Sequence, residues 1–186
     1  MNDVRRQSSG FSLIEVLVAL LLICIGVLGM VAMQGRTVQY TQDSVQRSSA
    51  AMLANEMLEI MRSNRDQVYT ASGNLNPNSA YFTGSDGYPE APEEGTCQPL
   101  PANADPAKQL NCWLTRVQET LPGAAGLAAE VHVCRAGNTA GTCGNAGRAI
   151  EIQVAWRVKN GECLDATDTD SNSDKTICRY RVRAEI

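Results

Sequence analysis

Eighteen consecutive positions, Val16 to Met33 (VLVALLLICIGVLGMVAM), carry no polar side chain, and no charge occurs from Val16 to Gly35. As a helix from Phe11 to Met33 this stretch is roughly 34 Å long at ~1.5 Å per residue, enough to cross a bilayer core. Arg5 and Arg6 precede it and Arg36 follows. The paired arginines predict a cytoplasmic N-terminus and an exported remainder. No Pro occurs before Pro77, so the helix is expected to continue beyond the span. Val38, Val45, Met52, Leu53, Met57, Ile60 and Met61 fall at spacings of three, four and seven, as on one helix face. Arg36, Gln39, Asp43, Gln46 and Arg47 would form the opposite, solvated face. The pattern divides into an apolar half over 11–35 and an exported half over 36–66.

The pattern changes after Tyr69. Residues 70–104 hold five of the seven prolines and four glycines without a helical or strand period, and are expected to form a long surface loop. Asp105 and Pro106 then suit the N-cap and first position of a helix. Leu110, Trp113, Leu114, Val117 and Leu121 give that helix, over about 106–121, one apolar face, and Pro122-Gly123 stops it. The C-terminal part alternates with period two. Strands are predicted at about 129–135, 148–159 and 176–186, each with one buried face. Their short connections favour an antiparallel meander, with a turn at Asn160-Gly161. The expected class is α+β: a long N-terminal helix packed with a short one against a small antiparallel sheet, in a globular region over 67–186.

Composition narrows the chemistry. The chain has 186 residues, 16 basic and 20 acidic side chains and a net charge of −4. A general nucleic-acid binder would be basic, so that class is disfavoured. Arg157, Arg179, Arg181 and Arg183 would share the outer sheet face, but Glu130, Glu151, Glu162 and Glu185 lie within reach for cross-strand pairing. The one histidine, His132, is too little for a zinc centre or a Ser/His/Asp enzyme. No phosphate loop or haem motif is present, so no catalytic residue, metal or cofactor is assigned. Asp168, Asp170, Asn172 and Asp174 alternate in the last loop. An EF-hand would need Gly at 173 and Glu at 179, where Ser and Arg stand. Seven cysteines point to an oxidising compartment. Cys24 lies in the apolar helix and is expected to be a buried free thiol. The other six permit fifteen pairings; the simplest is sequential, Cys97–Cys112, Cys134–Cys143 and Cys163–Cys178, each closing a short loop.

Glu15 stands out, because a carboxylate one turn into an apolar helix costs ~2–3 kcal/mol or more without a partner. A plain anchor leaves it unexplained. A secretory signal peptide would instead need small residues and a cleavage site after the apolar run. Gly10-Phe11-Ser12-Leu13-Ile14-Glu15-Val16, behind a short basic leader, resembles the processing motif of type IV pilins and their relatives. The resemblance covers residues 1 to about 65. It implies that residues 1–10 are a leader, that a prepilin peptidase cuts between Gly10 and Phe11, and that the new Phe11 amine is methylated. Glu15 would then pair with that amine, or with a neighbour's, and set subunit register. Residues 52–65 (MLANEMLEIMRSNR) are similar to the end of the long helix in PilV-type minor pilins, or pilus modification proteins. That implies a structural subunit held in the inner membrane before assembly into the pilus. Its partners would be other minor pilins, the major pilin and a large tip adhesin. A pseudopilin of type II secretion and a single-span anchored periplasmic binding module remain the alternatives; an enzyme is the least favoured class.

Overall fold

The computed structural model describes residues 10, 12–83, 97, 105–139, 141–144, 147–160, 162–163 and 174–186. Helix α1 runs unbroken over Leu13–Ser63. The Ser12 carbonyl opens it by accepting the amides of Glu15 (3.0 Å) and Val16 (3.3 Å). Asn64 closes it, its side-chain amide donating to the Ile60 carbonyl at 2.8 Å, and a short turn, α2 (Arg65–Val68), follows. The chain separates into two compact units, Met1–Thr41 and Gln42–Ile186, so α1 contributes to both.

In the second unit, α1 buries Ala50, Leu53, Ala54, Met57, Leu58 and Met61. These recur every three or four residues and so share one stripe. The stripe meets α3 (Pro106–Thr120), which buries Leu110, Trp113, Leu114 and Val117. The Trp113 indole N–H donates to the Leu53 carbonyl at 2.7 Å, which meets the polar demand of the largest core side chain. Asp105 stands at the N-cap of α3 and Pro106 at its first turn, but the Asp105 side chain makes no capping bond. Helix α3 ends before Pro122-Gly123, where Gly123 has φ 66°. A 3-10 segment, Ala124–Glu130, leads to the sheet; the first strand therefore starts later than the alternation alone predicts.

The sheet is antiparallel in the order β1 (His132–Arg135), β2 (Ile150–Arg157), β3 (Ile177–Ala184). Its register sets Val133 beside Ile152 and Ile152 beside Val182 on the core face. Cys134, Glu151 and Arg183 line up on the other face, as do His132, Gln153 and Arg181. The α+β architecture of long helix, extra short helix, small antiparallel sheet and three disulfides is the expected one.

Four local expectations are corrected. Asp43 is buried, not solvated: it receives the Arg47 Nε at 2.8 Å, and the Arg47 guanidinium lies 5.8 Å from the centre of the Trp156 ring. Val38, Val45 and Met52 are exposed, because the stripe that meets the core is the one through Ala50 and Met57. Strand β2 is buried on both faces up to Trp156. Finally, residues 70–104 are not simply a surface loop. Leu75, Ser79 and Tyr81 are buried, Tyr69 and Leu75 form a bridge, and Thr83 donates to the Val133 carbonyl at 2.8 Å. Most of the rest of that segment, and Gly161, lie outside the described residues.

Candidate functional site

The two ends of the candidate chemistry differ in kind. At the N-terminal end Gly10 is exposed and precedes the Ser12 carbonyl that begins α1. Glu15 is the acidic residue of the first helical turn, where a carboxylate faces the unsatisfied amides and positive end of the helix dipole. Every apolar side chain of α1 from Leu13 to Met33 is exposed within the chain, including Leu13 (78%) and Leu28 (70%). By length and composition this helix can cross a membrane. Cys24 is the free thiol expected, and its side chain is exposed along this half of α1. Beyond the apolar run, Thr37 and Thr41 return their hydroxyls to the helix itself, donating to the carbonyls of Met33 (3.1 Å) and Thr37 (2.9 Å). Phe11, at the expected junction, lies outside the described residues.

At the other end, the polar face of the sheet is a closed network. Glu151 is fully buried. Its Oε2 accepts Arg183 Nε at 2.6 Å. Its Oε1 accepts the Gly141 amide at 2.9 Å and lies 3.3 Å from His132 Nε2. Gln153 donates to the Glu130 carbonyl at 2.7 Å and accepts Arg181 Nε. Glu130 itself accepts Arg179 Nε at 2.9 Å. Charged groups removed from water must be compensated by partners of this kind. The arginines of β3 are thus occupied by Glu130, Gln153 and Glu151. Glu151 was expected to pair on a solvated face. It is instead enclosed, because the segment after β1 doubles back: Ala136 bridges Cys143, and the Gly144 amide donates to the Arg135 carbonyl at 2.8 Å.

The six cysteines that follow α1 are paired as Cys97–Cys112, Cys134–Cys143 and Cys163–Cys178, with Cα separations of 5.2, 5.6 and 5.6 Å. His132, Cys134 and Cys143 bring their ligand atoms within 4.8 Å of one another. Both sulfurs are spent in the disulfide, however, and His132 faces Glu151, so no thiolate ligand is on offer. Asp168, Asp170 and Asn172 lie outside the described residues. Asp174 accepts the Thr176 hydroxyl (2.7 Å) and amide (2.9 Å), and pairs with Arg157 at 3.3 Å. The Thr176 bonds, with Arg157 beside them, hold its carboxyl below the usual range.

Sequence reasoning missed the buried Asp43–Arg47 pair against Trp156 and the enclosure of Glu151. It also missed Tyr81, a fully buried tyrosine whose hydroxyl donates to Gln109. Burial, with Asp66 and Asp105 adding to it, pushes the Tyr81 hydroxyl up to about 12. The available signal for Tyr81 was its aromatic neighbour Phe82 inside an otherwise polar run; a pair of large apolar rings is worth burying even in a loop.

Two family descriptions match the chain in succession. Residues 5–31 match the prokaryotic N-terminal methylation motif, which spans Gly10, Glu15 and most of the apolar run. Residues 32–97 match the family described as type IV pilin Tt1218, which takes in the rest of α1 and the segment that follows it. No curated protein and no solved structure matches.

Proposed function

We propose, from the premise that this chain is a type IV pilin-like protein, that it is a minor pilin acting in pilus assembly and priming, within a tip complex. The family is structural, and the exposed apolar helix and its motif fit membrane anchoring and pilus assembly. The observation that carries the reading as a filament subunit is the pairing of two unlike regions on one helix. Over Leu13–Met33 the described apolar side chains are all exposed; from Ala50 the helix is packed into a disulfide-linked α+β unit. A subunit that must pass from bilayer to filament needs such a division, because the same apolar surface is covered first by lipid and then by neighbouring helices.

In this reading the membrane holds the chain with Gly10 on the cytoplasmic side and the disulfide-bonded unit in the periplasm. A prepilin peptidase releases residues 1–10 and methylates Phe11. Glu15 then meets the Phe11 amine of its own or a neighbouring helix, which offsets the cost of a carboxylate in apolar surroundings. The similarity of residues 52–65 to PilV-type helices supports the minor rather than the major subunit, with other minor pilins, the major pilin and a large tip adhesin as partners.

The test has two readouts in cells that carry a prepilin peptidase. N-terminal sequencing and intact mass should give a chain beginning at methylated Phe11. Quantitative mass spectrometry of sheared filaments should find that chain far below the major subunit, with piliation lost or reduced on its deletion. A full-length chain in those cells refutes the processing. A processed chain present at the level of the major subunit refutes the minor role alone.

A further inference from the structure

Most of the arginines whose side chains are described have a partner within the chain, and two do not. Of the arginines whose side chains are described, those of β3 bind Glu130, Gln153 and Glu151. Arg47, Arg62, Arg116 and Arg157 have carboxylate partners, and Arg65 lies over the Tyr69 ring at 5.1 Å. Among the described arginines, Arg135 and Arg148 have no side-chain hydrogen bond, ion pair or ring contact. Both line one pocket of about 380 Å³, together with Tyr69, Asn74, Leu75 and Glu185. Arg135 Nε is buried there without an acceptor. A buried donor left unmatched is costly, and Arg135 shares with Arg148 the lining of a concavity within the size range of small-ligand sites, ~300–1,000 Å³.

We propose that this pocket binds an acidic sugar unit, its carboxylate held by Arg135 and Arg148. Guanidinium groups match the planar carboxylate with parallel hydrogen bonds. Glu185 and Asn74 supply acceptors and an amide for ring hydroxyls, while Tyr69 and Leu75 supply an apolar patch for the ring's C–H face. Glu185 also argues against a polyacidic peptide or a phosphate, since its carboxylate repels a second negative charge while accepting a hydroxyl. The floor of the pocket is fixed. A Cβ on Gly147 would lie 2.2 Å from the Ala136 carbonyl oxygen, so the backbone carrying Arg148 is seated directly against the one that carries Arg135. The Tyr69 hydroxyl donates to the Ile186 carbonyl oxygen at 2.6 Å, which pins the opposite wall.

The experiment is titration of the full-length protein in detergent micelles with D-glucuronate, followed by saturation-transfer NMR. D-glucose, inorganic phosphate and a short acidic peptide serve as competitors. Saturable glucuronate binding is expected, with each competitor about tenfold weaker or more, as the loss of a charge-assisted contact implies. Arg135→Gln and Arg148→Gln should each weaken glucuronate by a similar factor. Arg148 is exposed, so its substitution leaves folding untouched and decides the matter if Arg135→Gln unfolds. Absence of glucuronate binding, equal binding of glucose, equal or tighter binding of phosphate or peptide, or unchanged binding by Arg148→Gln would each overturn the proposal.

Discussion

Helix α1 serves two regions that solve opposite problems with the same backbone. Over Leu13–Met33 its apolar side chains are all exposed, and Leu17, Leu21 and Ile25 stand at 59%, 59% and 61%. From Ala50 onward its apolar side chains divide by face: Met57 and Met61 are fully buried while Met52 is 70% exposed. In the second region burial follows helical periodicity, because a core lies on one side and water on the other. In the first there is no preferred face, as expected of a helix whose surroundings are apolar all round. Hydrophobicity that is uniform around a helix is thus informative about what the chain does not itself provide.

The largest effect that would separate the regions comes from Glu15. Glu15→Ala should leave the packed unit and the processing unchanged, since the span only becomes more apolar, yet abolish or strongly reduce recovery in sheared filaments. Normal incorporation, measured by immunoblot of sheared pili, would remove the register role from Glu15 and leave the first region as a mere anchor.

A second contrast is energetic. Both tryptophans, Trp113 and Trp156, lie in the core, so indole fluorescence reports the packed unit alone. Trp113→Ala should lower its stability by ~3–5 kcal/mol through cavity formation, with the Leu53 bond lost as well. Leu21→Ala should shift the same urea transition by less than ~0.5 kcal/mol, as an exposed site does. A comparable loss from Leu21→Ala would mean that the apolar half supports the fold of the rest.

The smallest expected effect sharpens the inside of the second region. In the unfolded chain Tyr81 ionises near ~10, whereas the folded chain holds its proton up to about 12. Above pH ~10 the unfolded state binds fewer protons than the native state, so the stability from this group is complete below that pH and declines as pH rises through about 12. Tyr81→Phe removes the Gln109 bond and should cost ~1 kcal/mol near neutrality, with the gap to the parent narrowing above pH ~10. A gap that stays constant across urea transitions at rising pH would show that the hydroxyl is not held in this way.

What was legible in the sequence followed from periodicity and punctuation. The α1 span, the apolar face of α3 and the stop at Pro122-Gly123 are local properties. So is the alternation that marks β2 and β3, although at β1 the start predicted near 129 falls inside the 3-10 segment that ends at Glu130. The burial of Asp43 and Glu151 was not legible, because each carboxylate depends on a partner distant in sequence: Trp156 stacked on Arg47 for one, Arg183 and the Gly141 amide for the other. A central strand with a polar alternate face reads as half-solvated until something folds over it. At the N-terminal end the order Gly10, Phe11, Glu15 and apolar run was legible as a motif, whereas its consequences depend on an enzyme and on neighbouring subunits. The Arg135–Arg148 pocket was invisible for the same reason as Glu151: it depends on which of the described arginines find partners elsewhere in the chain.

The Cys134–Cys143 bond closes a ring of sequence separation 9, and the ring includes Gly141, whose amide is bound to Glu151. A protease added to the protein would meet Thr142, an exposed residue of that ring. One cut there would free no fragment, since both new ends stay tethered through the sulfurs and through the β1–β2 ladder. The damage would be silent until reduction. A population nicked there would run as intact chain on a non-reducing gel and separate into two bands only after thiol treatment, so loss by digestion and survival in a nicked form are distinguishable outcomes for this surface.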